Sequence, residues 1–102
     1  MPVAVLITHR TLPGQREAVR AVWDRHIRPA VEANAGHVAY HYCFDPGDPD
    51  VIRAFQQYRS QDDAAAFLQT DAYRAYEREV SPLLTGPPVV TPLVPQWTKT
   101  GS

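Results

Sequence analysis

The sequence predicts an α+β fold in which short strands alternate with amphipathic helices. Four runs rich in β-branched and aromatic residues, each bounded by glycine, proline or aspartate, are typical of strands. These runs fall at about residues 3–9, 37–45, 51–59 and 89–97. Apolar residues at helical spacing mark one long helix after the first run and two short helices after the third. The predicted order is therefore β-α-β-β-α(α)-β.

The first strand has two apolar faces, with Val5 and Ile7 on one side and Leu6 on the other. A strand of this kind must be covered on both sides. The helix that follows is predicted from about residue 15 to residue 35. Pro29 should bend it, and Gly36 supplies its C-terminal stop.

The second strand places two sets of side chains on opposite faces, because successive residues of a strand alternate. One face carries Val38, Tyr40, Tyr42 and Phe44, and the other carries His37, Ala39, His41 and Cys43. We expect His37, next to a glycine, to lie at the surface. A turn with two prolines, residues 46–49, leads into the third strand.

The two short helices begin at recognisable N-caps. Ser60 with Asp63 forms a capping-box-like start, and Thr70 offers a second N-cap ten residues later. The third strand is thus predicted to end at Arg59 and to pass directly into the helix pair.

This order of elements is that of a ferredoxin-like fold with a four-stranded antiparallel sheet and helices on one face. The other face is too apolar for water, and a second copy of the same sheet is the simplest cover. Pro92 and Pro95 place the last strand at an edge or across to a partner. We therefore expect a homodimer, a dimeric α+β barrel, with one domain at residues 1–97 and a polar tail at 98–102.

Composition excludes several classes of function. A net charge of −1 and scattered basic residues give no electrostatic footprint for nucleic acid. No apolar run approaches the roughly 20 residues of a membrane helix. Cys43 is the single cysteine, which favours a reducing compartment, so we expect a cytoplasmic protein. Arginine supplies nine of the ten basic residues, as in GC-rich bacterial genomes.

Several features in this order resemble the antibiotic biosynthesis monooxygenase family of dimeric α+β barrels. They are the Pro13-Gly14 turn, Gly36 before a strand containing Tyr40, the Gln56-Gln57-Tyr58 strand end in place of a Glu-x-Trp-like pattern, and Thr70 between the paired helices. The resemblance covers roughly residues 2–95. It implies a small-molecule aromatic substrate and chemistry that needs neither metal nor flavin.

Departures from the family exclude one of its activities. Members similar to quinol monooxygenases carry a histidine three residues before the joint threonine, where this chain has Phe67. Haem-degrading members use an asparagine, a tryptophan and a histidine at positions that here are Ile7, Phe67 and Glu77. Ile7 and Phe67 lack the polar groups, and Glu77 is not an expected haem ligand. We therefore reject haem degradation.

Oxygenation without a cofactor requires a base, since the substrate must lose a proton before it donates an electron to O2. A neutral imidazole suits this task near pH 7. His41, central in the second strand, is the first candidate, and His9, on the same strand face as Val5 and Ile7, is the second. His37 and His41 lie four residues apart on a strand, about 13 Å, and cannot share one metal ion.

Aromatic and amide side chains complete the predicted site. Tyr58, Phe67 and Tyr73 are expected around a cavity between sheet and helices, and Trp23 is a further substrate contact. Gln56 shares a strand face with Tyr58 and is a candidate to orient the substrate, or equally a structural amide bonded to backbone.

The resulting hypothesis is a cofactor-independent monooxygenase acting on a quinol or a polyketide-like hydroxy-aromatic compound. Two alternatives stay open: a cyclase or isomerase of similar substrates on this scaffold, and a non-catalytic binding or stress-response module. The fold alone does not decide among them.

Overall fold

A computed structural model describes residues 2–99 of the chain, so Met1 and residues 100–102 of the predicted tail lie outside the described residues. The elements are β1 (Val3–Arg10), α1 (Arg16–Glu32), β2 (His37–Phe44), β3 (Val51–Tyr58), α2 (Gln61–Phe67), α3 (Asp71–Val80), a single 3-10 turn (Ser81–Leu83) and β4 (Val89–Leu93). All strand pairs are antiparallel, in the order β2-β3-β1-β4. The ferredoxin-like prediction is confirmed.

Strand register decides which side chains face the helices. Val5 of β1 pairs with Gln56 of β3, and His9 pairs with Ile52. These residues share one face with Tyr40 and Tyr42 of β2, because Tyr40 pairs with Gln56 and Tyr42 pairs with Ala54. The core lies between this face and the helices, around residues such as Val19 and Ile52, both fully buried.

Two elements were predicted to be longer than they are in the structure. Helix α1 ends at Glu32 rather than at residue 35, and Asn34 N–H closes its last turn on the carbonyl oxygen of Val31. Strand β4 ends at Leu93 rather than at residue 97. Propensity sets such ends only within a few residues, since fraying and tertiary contacts compete there.

The predicted surface position of His37 is wrong, and a β-bulge is the reason. The register of β2 against β3 shifts between His37 and Ala39, so that His37 pairs with Tyr58 while Ala39 pairs with Gln57. The extra residue, Val38, is exposed. A bulge breaks the strict alternation of a strand and turns a side chain to the other face. His37 therefore lies half-buried on the helix side, against Tyr58 and Phe67.

Both predicted N-caps are confirmed. Ser60 Oγ accepts a hydrogen bond from Asp63 N–H, and Thr70 Oγ1 accepts one from Tyr73 N–H. The start of α2 also packs against Gly36, where a Cβ atom would lie 2.9 Å from the Asp63 side chain. Gly36 is therefore required for close approach of α2 rather than for a positive φ angle.

The fourth strand is the most exposed element of the sheet. All five residues of β4 are exposed, and its outer edge has no partner among residues 2–99. Farther along, Val94 and Trp97 also expose most of their apolar surface. None of the helices described is long and apolar enough to cross a membrane.

Candidate functional site

A cavity of about 440 Å³ lies between the helix-side face of the sheet and the helices. The sheet contributes Val5, Ile7, His9, Tyr42, Gln56 and Tyr58, among others. Ile27, Phe67, Tyr73 and Tyr76 line it from the helices. Pro88, Val90, Pro92 and Val94, before, within and after β4, border its rim. A volume of this size accommodates a drug-sized ligand.

All five tyrosines of the chain line this cavity. They are Tyr40, Tyr42, Tyr58, Tyr73 and Tyr76. Burial raises the pKa of each phenol, for Tyr40 to about 12. The phenols are therefore neutral at pH 7, so they can donate hydrogen bonds to a ligand but cannot serve as its base.

His9 is the titratable group best placed to accept a proton in the cavity. Its side chain is 7% exposed, and burial lowers its pKa to about 4, so the imidazole is neutral at pH 7. Nε2 lies 3.3 Å from the phenol oxygen of Tyr76. The other ring nitrogen, Nδ1, has no hydrogen-bond partner in the part of the chain that the structure describes.

Two of the buried polar atoms that lack a partner within residues 2–99 belong to residues that line this cavity. They are His9 Nδ1 and the Tyr42 hydroxyl; the third such atom, Asp24 Oδ1, is not part of the lining. Burying a polar atom without a partner costs about 1–3 kcal/mol, so such atoms often serve a ligand. Both atoms are closed to water in this structure, so they become contacts for a polar group of a ligand only when their side chains turn toward the cavity that they line.

Gln56 and Tyr58 are joined by a hydrogen bond at the other end of the cavity. The Tyr58 hydroxyl donates to Gln56 Oε1 at 2.8 Å, and His37 Nε2 lies 3.1 Å from the same oxygen. His37 in turn contacts Asn34 through Nδ1, at 2.9 Å from Asn34 Nδ2. Burial lowers the pKa of His37, and the contact with Gln56 opposes this effect.

Five of the seven residues predicted for the site line the cavity. They are His9, Gln56, Tyr58, Phe67 and Tyr73. Trp23 lies behind the lining, where its ring stacks on Tyr42 at 4.1 Å between centroids and its Nε1–H donates to the Tyr40 hydroxyl at 2.9 Å. Trp23 therefore supports two lining tyrosines rather than bordering the cavity itself.

His41 lies elsewhere. It is exposed, and it packs near Phe55 on the face of the sheet that the helices leave open. Strand alternation already assigned His41 and Tyr40 to opposite faces, and the bulge at Val38 lies before both residues and does not change their relation. The structure therefore does not bring His41 together with the other predicted site residues.

The predicted site omitted four residues, namely Tyr40, Tyr42 and Tyr76, which line the cavity, and His37, which contacts the lining residue Gln56. The first three carried a usable signal. Tyr40 and Tyr42 alternate on one face of β2, and Tyr76 lies one helical turn after Tyr73. The position of His37 had no such signal, because it depends on the bulge.

The arrangement combines a neutral base, several neutral phenol donors and an apolar enclosure. An apolar site strengthens hydrogen bonds to a charge that develops inside it. The geometry therefore fits removal of a proton from a hydroxy-aromatic compound and stabilisation of the resulting oxyanion.

Comparison with known proteins agrees with this architecture. The family model described as antibiotic biosynthesis monooxygenase matches residues 2–79. The chain thus belongs to the antibiotic biosynthesis monooxygenase family, as its motifs predicted. Searching the curated proteins gave no match.

Solved structures from several organisms share the fold. Rv0793 from Mycobacterium tuberculosis is 30% identical, with all of both chains covered and a TM-score of 0.84. A Chloroflexus aurantiacus protein, provisionally named an antibiotic biosynthesis monooxygenase, is 22% identical, with 98% of each chain covered and a TM-score of 0.84. A similarly named Nitrosomonas europaea protein is 14% identical, covers 97% of this chain and 94% of its own, and has a TM-score of 0.89.

Proposed function

We propose that the cavity binds a quinol or polyketide-like hydroxy-aromatic compound and that the protein oxygenates it without a cofactor. The observation that carries this proposal is that two residues lining the cavity, His9 and Tyr42, each bury a polar atom, Nδ1 and the hydroxyl oxygen, that has no partner among residues 2–99. A flat aromatic compound fits a cavity lined by phenol and phenyl rings.

His9 is the proposed base. In the neutral tautomer with its proton on Nε2, which donates to the Tyr76 oxygen, Nδ1 carries the lone pair. Nδ1 takes the substrate proton, and the substrate anion then donates an electron to O2. For a substrate such as anthrone, one oxygen atom becomes a ring carbonyl group and the other leaves as water. The pKa of about 4 belongs to His9 without a ligand, and an adjacent anion raises it, since opposite charges attract strongly in an apolar site.

Tyr42 is the proposed donor to the substrate oxygen. Its phenol is held by the stacked Trp23 ring, and its raised pKa keeps the proton on the hydroxyl at pH 7. Phe67 and Tyr73, joined edge to face at 6.2 Å between centroids, close the helix side of the cavity. Exclusion of water by these rings protects the reactive anion.

We further propose that the protein acts as a homodimer in the cytoplasm. The exposed strand β4 and the open face of the sheet leave apolar side chains such as Val89 and Leu93 in contact with water. A second copy would cover them and would extend the wall of the cavity at its β4 rim. Sedimentation at micromolar concentration tests this point, and a monomer contradicts it.

Oxygen uptake tests the proposed activity. Anthrone is added to the protein in an oxygen electrode, and we expect about one O2 consumed per anthraquinone formed, faster than without protein. Product formed under anaerobic conditions would instead indicate the cyclase or isomerase. Saturable binding without any turnover would indicate the binding module.

His9→Phe and His41→Ala separate the two histidines named from the sequence. Loss of oxygen uptake in His9→Phe supports the cavity histidine as the base. Loss of oxygen uptake in His41→Ala, with uptake retained in His9→Phe, would instead make His41 on the open face of the sheet the base.

A further inference from the structure

A chain of hydrogen bonds runs from Asn34 through His37 to Gln56. A backbone N–H group determines which atoms of this chain donate and which accept. Gly36 N–H donates to Asn34 Oδ1 at 3.2 Å. A backbone N–H can only donate, so the oxygen of the Asn34 amide must face Gly36. The Asn34 nitrogen is therefore the atom 2.9 Å from His37 Nδ1.

This orientation fixes the tautomer of His37. The Asn34 amide donates to Nδ1, so Nδ1 carries the lone pair and the proton of the neutral imidazole lies on Nε2. Nε2–H then donates to Gln56 Oε1 at 3.1 Å. The same oxygen also accepts from the Tyr58 hydroxyl at 2.8 Å, which fills both of its lone pairs.

The Gln56 amide is thereby locked in one orientation. Its oxygen is occupied by His37 and Tyr58, and its NH2 group is left to face the cavity, which Gln56 lines at 8% exposure. We propose that Asn34 and His37 are positioning residues that hold Gln56 as a hydrogen-bond donor, so that the cavity selects ligands with an acceptor oxygen at this end. The inference rests on the proposed function in taking the cavity as a ligand site.

The position of Gln56 adds a constraint on the ligand. Gln56 pairs with Val5, which lies four residues before His9 on β1. This offset is about 13 Å along the strand. A ligand that meets both groups is therefore elongated, with an acceptor oxygen at the Gln56 end and its acidic proton toward His9.

The first test reads the tautomer directly. The ¹⁵N chemical shifts of the His37 ring at pH 8 should show a protonated Nε2 and an unprotonated Nδ1. A proton on Nδ1 of the wild-type protein overturns the proposal, because Gln56 would then have to turn its oxygen to the cavity.

The second test measures ligand selection. The probes are 9-fluorenone and fluorene, which share a three-ring skeleton and differ in one carbonyl acceptor. We expect the wild-type protein to bind fluorenone about fivefold more tightly, the value of one net hydrogen bond.

Asn34→Asp exchanges one amide nitrogen for an oxygen and should reverse the direction of the chain. At pH 9, where the imidazole is neutral, the new carboxylate accepts from both Gly36 N–H and His37 Nδ1–H. Nε2 then accepts from the Gln56 NH2 group, and the Gln56 oxygen turns to the cavity. The variant should bind fluorenone no more tightly than fluorene, while its affinity for fluorene stays that of the wild-type protein. An unchanged preference overturns the proposal.

These readouts are independent of oxygen. A failure of oxygen uptake beside a normal tautomer and a normal fluorenone preference refutes the monooxygenase and leaves the positioning chain intact. Oxygen uptake beside a proton on His37 Nδ1 refutes the positioning chain alone.

Discussion

The imidazole of His9 and the phenol of Tyr76 meet edge to face inside the cavity, with Nε2 3.3 Å from the phenol oxygen and an angle of 69° between the rings. The two residues lie on β1 and α3, 67 positions apart in the chain. Tyr76 engages one nitrogen of the ring, so Nδ1 is the ring nitrogen left without a partner among residues 2–99. This relationship underlies the role proposed for His9.

Replacement of His9 by phenylalanine should remove most of the activity while it keeps the shape of the cavity. His9→Phe keeps a ring of similar size but has no base, and general-base catalysis is worth about 10²–10⁴-fold in rate. We expect kcat for anthrone oxygenation to fall at least about 100-fold, with KM changed far less. His26→Gln is the matched control, since His26 is a partly exposed histidine that pairs with Glu79 and is not part of the cavity lining. Equal losses in both variants would contradict the assignment.

The pH dependence of stability should also report His9. Its pKa is about 4 in the folded protein, below the ordinary value of 6.5, so the unfolded chain binds more protons between these values. The free energy of unfolding should therefore decrease as pH falls from about 6.5 to about 4, with His9 contributing up to about 3 kcal/mol.

Urea denaturation at pH 7 and at pH 4 measures this contribution as a difference between two proteins. The wild-type protein should lose more stability than His9→Phe over this range, because the variant lacks the titrating group. Carboxylates such as Asp63, whose pKa is lowered by Arg59, titrate in both proteins and cancel in the difference. Parallel pH profiles would mean that His9 is not buried as a neutral group.

Gly36 should tolerate no side chain. A Cβ atom at this position would lie 2.9 Å from the Asp63 side chain, so Gly36→Ala should destabilise the protein by about 1–3 kcal/mol, the usual cost of overpacking. Gly86→Ala is the control, because a Cβ there meets nothing within 4 Å. Thermal unfolding of both variants measures the effect, and equal midpoints would contradict the close approach of α2.

Loss of the Thr70 cap should loosen the helix side of the cavity. Thr70 Oγ1 accepts from Tyr73 N–H and donates to the Phe67 carbonyl oxygen, so it ties together two helices that carry lining rings. Thr70→Ala should cost about 1–2 kcal/mol in the free energy of unfolding. Thr70→Ser should restore most of this stability, since serine keeps the hydroxyl. A serine variant as unstable as the alanine variant would show that the methyl group, not the cap, matters.

The parts of the structure that could be predicted from the sequence are those set by local interactions. The caps at Ser60 and Thr70 each depend on a residue three positions away. Strand alternation correctly placed His9 with Ile7, and Gln56 with Tyr58, on shared faces. Such patterns survive folding because neighbouring residues enforce them.

The parts that could not be predicted depend on contacts between distant residues. His37 reaches Gln56 because a bulge shifts the register of β2, and nothing in the local sequence marks Val38 as the extra residue. Trp23 was expected to contact the substrate, yet its ring packs on Tyr42 of another element. The sequence placed His41 and Tyr40 on opposite faces of β2. Which of these faces the helices cover depends on the whole fold and could not be predicted from the strand alone.

Anaerobic mixing of the protein with anthrone at pH 7 tests the central claim most directly, because without O2 the reaction stops after the proton is removed. Absorbance of the anthrone anion should appear on the wild-type protein and be absent from His9→Phe, although both proteins bind the compound. Equal anion formation on the two proteins, or none on the wild-type protein, would contradict the role of His9 as the base of this cavity.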